Sequence, residues 1–254
     1  MVSVKRSKSA SRVLAVLEAI ARAQPIGVSD LARVLDADKS AVQRAIMTLA
    51  DAGWIHSAQG LPKRWQLTGH IHAVAHMAHS SNDLRQRAYA VLEKLRDESG
   101  ESVFLTTPDI GRFVVVDVLE SRQMVRTSPH IGMIVMGGDS ATGRVLLPHM
   151  SLERQQEFLG AAPSPALMRD FATAQAQGYF VSEDDNVGGS INIAAPLFEA
   201  DGRPLGALVL SAPKQRLTTE HYVRLGEMVA RAARSLSRGT APRNRIGNTG
   251  AQPR

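Results

Sequence analysis

The chain has 254 residues, 44% of them hydrophobic and 21% charged, which is length enough for two modest cores and the composition of a globular protein. It contains no cysteine, no apolar run of about 18 residues and no signal-peptide layout, so disulfides, thiolate catalysis and cysteine-bound zinc are excluded, and a cytoplasmic protein without membrane contact is expected. Of the net +6, residues 1–82 carry ten Lys or Arg against five acids, residues 83–237 sixteen against nineteen, and the last seventeen residues four Arg and no acid, which predicts a polyanion partner for the N-terminal part.

Residues 1–8, with Lys5, Arg6 and Lys8 and little to bury, are expected to form a mobile basic arm, either solvated or reaching a minor groove. Ser11 to Ala23 reads as a helix with Val13, Leu14, Leu17 and Ile20 inward, closed before Gln24, Pro25 and Gly27. Val28 to Gly53 then reads as two short helices joined by a polar turn. Ser29 is placed to cap the first, which carries Leu31 and Leu35 on one face. Asp38 is placed to cap the second, which runs from Lys39 towards Ala52, hides Val42, Ile46 and Leu49, and ends at Gly53. Its other face shows side chains able to bond a base edge or a phosphate. The candidate DNA-binding residues on this helix are Lys39, Ser40, Ala41, Gln43 and Arg44. Alone, the pair fits an ordinary helical hairpin equally well. The next stretch favours DNA: Trp54 to His56 and Lys63 to Leu67 read as two strands joined by a turn over Ala58 to Pro62. A hairpin directly after the helix pair predicts a winged helix-turn-helix over residues 9–68, with Lys63 and Arg64 on the DNA backbone.

A helix is expected from Thr68 to about Ser81, and residues 69–83 are expected to form the linker between the two halves. It contains His70, His72, His76 and His79. Imidazoles at such spacing can share an ion or sense mild acid, but no carboxylate or cysteine accompanies them, and no metal site is assigned. Residues 84–238 are expected to form a second domain: a helix from Leu84 to Ser99, strands at Ser102–Thr107, Arg112–Leu119 and Gln123–Thr127, then helices at Thr142–Met150, Leu152–Leu159 and Pro165–Gln177. Strands return at Tyr179–Val181, Ser190–Phe198 and Leu205–Ser211 before a last helix, Thr218–Leu236. This order predicts an α+β architecture with one antiparallel or mixed sheet covered by helices. Residues 239–254 read as a disordered basic tail.

Gly137 to Gly143 opens a helix among small side chains, where backbone N–H groups can receive a carboxylate; a plain capped helix start fits the same residues. A second wall is expected from Glu183, Asp184 and Asp185, from Ala194 to Pro196, and from Val209 and Ser211. The acidic trio can accept from a hydroxyl, help hold a cation, or simply face water. Met124 and Met133 either line the same cavity or fill core. There is no G-x-S-x-G, Walker loop, dinucleotide fingerprint or H-E-x-x-H, so enzymatic processing of a small molecule is a remote alternative and no cofactor is expected.

The segments SASRVLAVLEAIA (9–21) and VSDLARVLDADKSAVQRAIMTLADAGWI (28–55), with the hairpin after them, resemble the DNA-binding half of the IclR family of bacterial transcription regulators. SATGRVLLPHM (140–150), QAQGYFVSEDD (175–185) and SINIAAPLFEADGRPLGALVLSAP (190–213) resemble that family's GAF-like effector-binding domain. The resemblance spans about residues 9 to 237 and implies that Ser40 and Arg44 approach DNA and that small acid effectors meet backbone at Ala141 and Thr142. It also implies a homo-oligomer, a dimer or a dimer of dimers, on a double-stranded operator. Where family pockets often carry hydrogen-bonding side chains this chain has Pro196 and Val209, which implies a more apolar effector or one held by backbone and Ser211. The candidate effector-binding set is Met124, Ser140, Ala141, Thr142, Asp184, Asp185, Ala194, Val209 and Ser211. The rival reading is a DNA-binding protein whose second domain only oligomerises.

Overall fold

The structure, a computed structural model, describes residues 7–61, 63–77, 79–184 and 189–238. Side chains at 75–83 and 184 lie outside that description, as do residues 1–6 of the expected basic arm and the tail from 239. The chain divides into two compact units, Met1–Asn82 and Asp83–Arg254.

The first unit runs α1 (Lys8–Ala23), β1 (Ile26–Gly27), α2 (Val28–Val34), α3 (Lys39–Asp51), β2 (Ile55–Ser57), β3 (Arg64–Leu67) and α4 (His70–Met77). Its core gathers Val16, Ala19 and Ile20 of α1, Leu31 of α2, Val42, Ala45, Ile46 and Leu49 of α3, and Ile26 and Ile55 of the sheet. The buried face of α1 is rotated from the expected one: Leu14 is 60% exposed, because α3 packs across the Val16–Ile20 side. Ser29 does not cap α2; Gly27 stands at that position without a side-chain bond, and Ser29 lies one residue inside the helix. Asp38 does cap α3, accepting from the amides of Ser40 at 2.8 Å and Ala41 at 3.2 Å. Gly53 follows the C-cap with φ 78°, the left-handed turn that sends the chain into β2. The wing has three strands rather than two, in the order β1-β3-β2, because Ile26 and Gly27 pair with Trp65 and Arg64. The expected linker helix is α4, which begins only at His70, where the Thr68 hydroxyl accepts from the His70 amide at 3.2 Å.

The next helix, α5 (His79–Ser99), starts earlier than Leu84, takes in the end of the expected linker and runs from the last residues of the first unit into the second. It is followed by β4 (Ser102–Asp109), β5 (Arg112–Leu119), β6 (Ile134–Val135), α6 (Ala141–Leu146) with a 3₁₀ turn at Leu147–His149, α7 (Leu152–Leu159), α8 (Pro165–Gln177), β7 (Phe180–Asp184), β8 (Ser190–Phe198), β9 (Pro204–Pro213) and α9 (Thr219–Leu236). The strands form one antiparallel sheet in the order β6-β5-β4-β9-β8-β7. Period-two alternation splits each strand between two cores. Val103, Leu105, Ile191, Ile193, Leu208 and Leu210 face α5 and α9, where Leu92, Leu95, Leu225 and Val229 meet them. Phe104, Ala194, Ala207 and Val209 face α6, α7 and α8 through Val145, Leu146, Phe158 and Phe171.

Gln123–Thr127 is not a strand. Residues 120–129 form a strap whose backbone is held by side chains rather than by a ladder: the hydroxyl of Ser102 donates to the Thr127 carbonyl at 2.7 Å and that of Thr127 to the Ser211 carbonyl at 2.9 Å. The edge of β5 that such a strand could have joined is taken instead by Ile134 and Val135. Arg216 fastens the strap from beyond β9, donating to the Val125 carbonyl and, at 2.8 and 2.7 Å, to both carboxylate oxygens of the buried Glu101. Burial pushes the Glu101 carboxyl up, with Arg216 pulling the other way.

Candidate nucleic-acid interface and ligand cleft

Helix α3 has two chemically distinct sides. Ala41, Val42, Ala45, Ile46 and Leu49 are buried, while Lys39, Ser40, Gln43, Arg44 and Met47 are exposed. Ala41, read from the sequence as a DNA contact, is corrected by this geometry. It is 6% exposed, its side chain points into the core, and its amide is already bonded to Asp38. The Asp38 carboxylate also accepts from the Ser40 hydroxyl at 2.6 Å, and Arg44 donates to the same hydroxyl at 3.3 Å. The Ser40 hydroxyl, then the amides of Ala41 and Ser40, hold the Asp38 carboxyl below the usual carboxylate range.

The wing comes close to this helix. Lys39 and Gln43 of α3, Lys63 and Arg64 of the wing and Ser29 and Asp30 of α2 line one open hollow of about 570 Å³. Lys63 sits at φ 66°, an uncommon conformation for a non-glycine residue, at the turn into β3. Arg64 spends part of its guanidinium on the Pro25 carbonyl, at 3.1 Å, and so ties the wing to the entry of β1 while remaining exposed. His70 packs edge-on against Trp54 with ring centroids 4.6 Å apart. The side chains of His76 and His79 are outside the described set, and among the described residues no three His, Cys, Asp or Glu are placed to hold a metal ion.

In the second unit a cleft of about 370 Å³ opens between the strap and the sheet. Phe104 of β4, Arg126 and Thr127 of the strap, Met133, Asn192 of β8 and Ser211 of β9 are among its walls. Ser211 and Met133, both read from the sequence as candidate lining residues, are among these walls. Ala194 and Val209 do not line the cleft; they are buried in the core on the same face of the sheet as Phe104. Met124 is corrected. It is 95% exposed and does not line the cleft, whereas its neighbours Val125 and Arg126 do. Ser140, Ala141 and Thr142 lie elsewhere: the Ser140 hydroxyl donates to the Met136 carbonyl at 2.6 Å and accepts from the Gly143 amide at 3.0 Å, and Ala141 and Thr142 are each 2% exposed. Asp184 contributes backbone to β7 opposite Ser190, and Asp185 lies outside the described residues. Glu183, the third of that acidic trio, pairs with Lys214 at 2.6 Å, which holds its carboxyl below the usual range.

The sequence reading missed Phe104, Thr127, Asn192 and Arg126. Two carried a signal: in β4 and β8 the alternation that sends Val103, Leu105, Ile191 and Ile193 to one face sends Phe104 and Asn192 to the other. Arg126 carried none. Its guanidinium pairs with Glu120 at 2.9 Å at the cleft margin, a placement that depends on the strap.

Residues 9–58 match the model of the IclR helix-turn-helix domain, and residues 76–238 that of the bacterial transcriptional regulator IclR C-terminal domain. The chain is 27% identical to the HTH-type transcriptional regulator BhcR of Paracoccus denitrificans, with 94% of this chain and 90% of that protein covered. It is 25% identical to the transcriptional repressor IclR of Escherichia coli, with 91% and 89% covered. Among solved structures, an IclR homologue from Microbacterium hydrocarbonoxydans complexed with 4-hydroxybenzoate superposes with a TM-score of 0.73 at 21% identity, over 91% of this chain and 99% of that one. The Thermotoga maritima IclR gives 0.70 at 19%, over 91% and 97%. At these identities the structural likeness shows the fold alone, a helix-turn-helix unit followed by an α/β unit. Among the described residues no helix is long and apolar enough to cross a membrane. With a helix-turn-helix model on its first unit and a C-terminal model spanning most of its second, the chain belongs to the IclR family of bacterial transcriptional regulators.

Proposed function

We propose that this regulator binds a two-fold-symmetric operator as a homo-oligomer, reads base edges with α3, holds the backbone with its wing, and responds to a small organic acid in the 370 Å³ cleft. The cleft is the observation that carries the effector. Its volume falls in the range of about 300–1,000 Å³ of small-molecule sites, and its walls combine apolar Phe104 and Met133 with a few convergent polar groups, Asn192, Ser211 and Arg126. The relative complexed with 4-hydroxybenzoate supports an acid as the ligand class. Regulation then needs only a difference in effector affinity between arrangements that fit DNA and those that do not.

The test is thermal melting of the full chain with a panel of aromatic and aliphatic acids. A matching acid at about a hundred times its Kd should stabilise the second unit by about 2.7 kcal/mol. A panel without any shift would leave the second unit as an oligomerisation module.

The wing has its own measurement. Alanine at both Lys63 and Arg64 should shallow the dependence of log affinity on log salt by about one unit for each phosphate deprived of its cation. Because Arg64 already serves the Pro25 carbonyl, the Lys63 share is expected to be the larger. A slope equal to that of the unsubstituted protein removes the wing from the phosphates.

A further inference from the structure

The exposed start of α3 carries a directed chain of hydrogen bonds. The Asp38 carboxylate, held ionised by its neighbours, can only accept, and the Arg44 guanidinium can only donate. Ser40 sits between them, 2.6 Å from Asp38 and 3.3 Å from Arg44, and its hydroxyl has a single proton. That proton therefore goes to Asp38, and a lone pair receives Arg44. A hydroxyl arranged in this way has no proton left for a phosphate or a base acceptor. A serine on this surface, taken by itself, reads as a direct DNA donor; its partners give it another task.

We propose that Asp38 and Ser40 are a positioning pair: they orient the Arg44 guanidinium for base readout, and Ser40 makes no donor contact of its own to DNA. Residues 40 and 44 stand one helical turn apart, the spacing at which side chains on a helix surface meet. Arg44 is exposed, and a guanidinium left to itself at such a site samples many rotamers. Anchoring one N–H on Ser40 limits that freedom before DNA arrives, so less is lost on binding, and the remaining donors keep the fork geometry that matches a guanine edge. The anchor sits on the same carboxylate that caps the helix, so its position is fixed by the backbone of α3 itself. The proposal rests on the reading of α3 as the DNA-contacting helix, and the experiment separates the two.

The full chain is used to select a duplex from a randomised pool, and affinities for that duplex and for a scrambled duplex of equal length are measured at fixed salt. Ser40→Ala, Arg44→Ala and the double variant are compared, with Ser40→Thr as the conservative control. Arg44→Ala is expected to lower the selected-to-scrambled ratio about tenfold or more, and Ser40→Ala about three- to tenfold, the net size of one ordinary solvent-exposed hydrogen bond. In the Arg44→Ala background Ser40→Ala should cost nothing further. Ser40→Thr should stay within about twofold of the unsubstituted protein, since it keeps the hydroxyl. Melting temperature and salt slope should be unchanged in Ser40→Ala, because Asp38 still caps through the two amides and every phosphate keeps its partner. Equal losses from Ser40→Ala in both backgrounds, or a shallower salt slope, would mean that Ser40 touches DNA itself, and would overturn the proposal while leaving α3 as the reader. An unchanged ratio in Arg44→Ala would remove α3 from the readout and the positioning pair with it.

Discussion

Replacing Arg44 with alanine is expected to weaken operator binding by about 1 to 3 kcal/mol while leaving the protein as stable as before. The first half of that expectation comes from chemistry. Arg44 lies exposed on the side of α3 opposite Val42, Ala45 and Ile46, within the first turns after the Asp38 cap, where a recognition helix meets base edges. A guanidinium bonded bidentate to guanine contributes that much discrimination, and no neighbour on the exposed face can replace its fork: Lys39 is a point charge and Gln43 is neutral. The second half comes from packing. Arg44 supports no buried group, and its hydrogen bond is to the exposed hydroxyl of Ser40, so the change should fall within about 0.5 kcal/mol for folding. Titrating labelled duplex with each protein at one salt concentration, beside a melting curve, checks both. A loss of affinity accompanied by an equal loss of stability would mean that the substitution had damaged the helix and not the readout.

Gly143→Ala is expected to destabilise the second unit by about 3 kcal/mol, through overlap with backbone that cannot move aside. A Cβ on Gly143 would stand 1.9 Å from the carbonyl oxygen of Gly137, 2.7 Å from its carbon and 2.9 Å from its Cα. All three are backbone atoms, so no rotamer change relieves the clash. Gly137 is itself buried, with Leu147 and Phe158 about a Cβ contact away, so it has little room to retreat. The loop around it is held further by Arg144, which donates to the Gly138 carbonyl at 3.0 Å and to Asp170 at 2.9 Å. For a unit of this size about 3 kcal/mol corresponds to a fall in Tm of roughly 6 to 12 °C. Calorimetry of the full chain should show that fall in the transition of the second unit, with the helix-turn-helix unit unmoved. A Tm within about 1 °C of the unsubstituted protein would mean that α6 does not rest on the Gly137 backbone.

How legible these sites were in the sequence follows from how far apart their parts lie. Everything needed for the reading helix sits within the stretch from Asp38 to Gly53: a capping carboxylate, apolar residues at helical spacing, and a glycine for the left-handed exit. The one residue placed otherwise there is Ala41, read from the sequence among the DNA contacts but only 6% exposed, since one step along the helix turns it about 100° from the exposed Ser40 towards the side of the buried Val42. The ligand cleft shows the opposite case. Its walls come from β4, the strap, β8 and β9, separated by as much as the span from Phe104 to Ser211, and strand register decides which side chains meet. Met124 failed for that reason: apolar content marked it as a lining residue, whereas the bonds from Ser102, Thr127 and Arg216 to carbonyls turn the strap so that it faces solvent.

The sequence by itself therefore determined the α+β order of elements, the winged helix-turn-helix and its exposed basic face, because helical period, caps and turn residues act over a few positions. It also determined the family, whose motifs recur in order along the chain. Only the tertiary structure decided that the sheet is antiparallel with helices on both faces, that residues 120–129 are a strap and not a strand, and that the cleft is walled by Phe104, Arg126, Asn192 and Ser211. Those features depend on which strand edge is already occupied and on which distant carbonyl a hydroxyl or guanidinium can reach, energies that exist only once the chain has closed on itself.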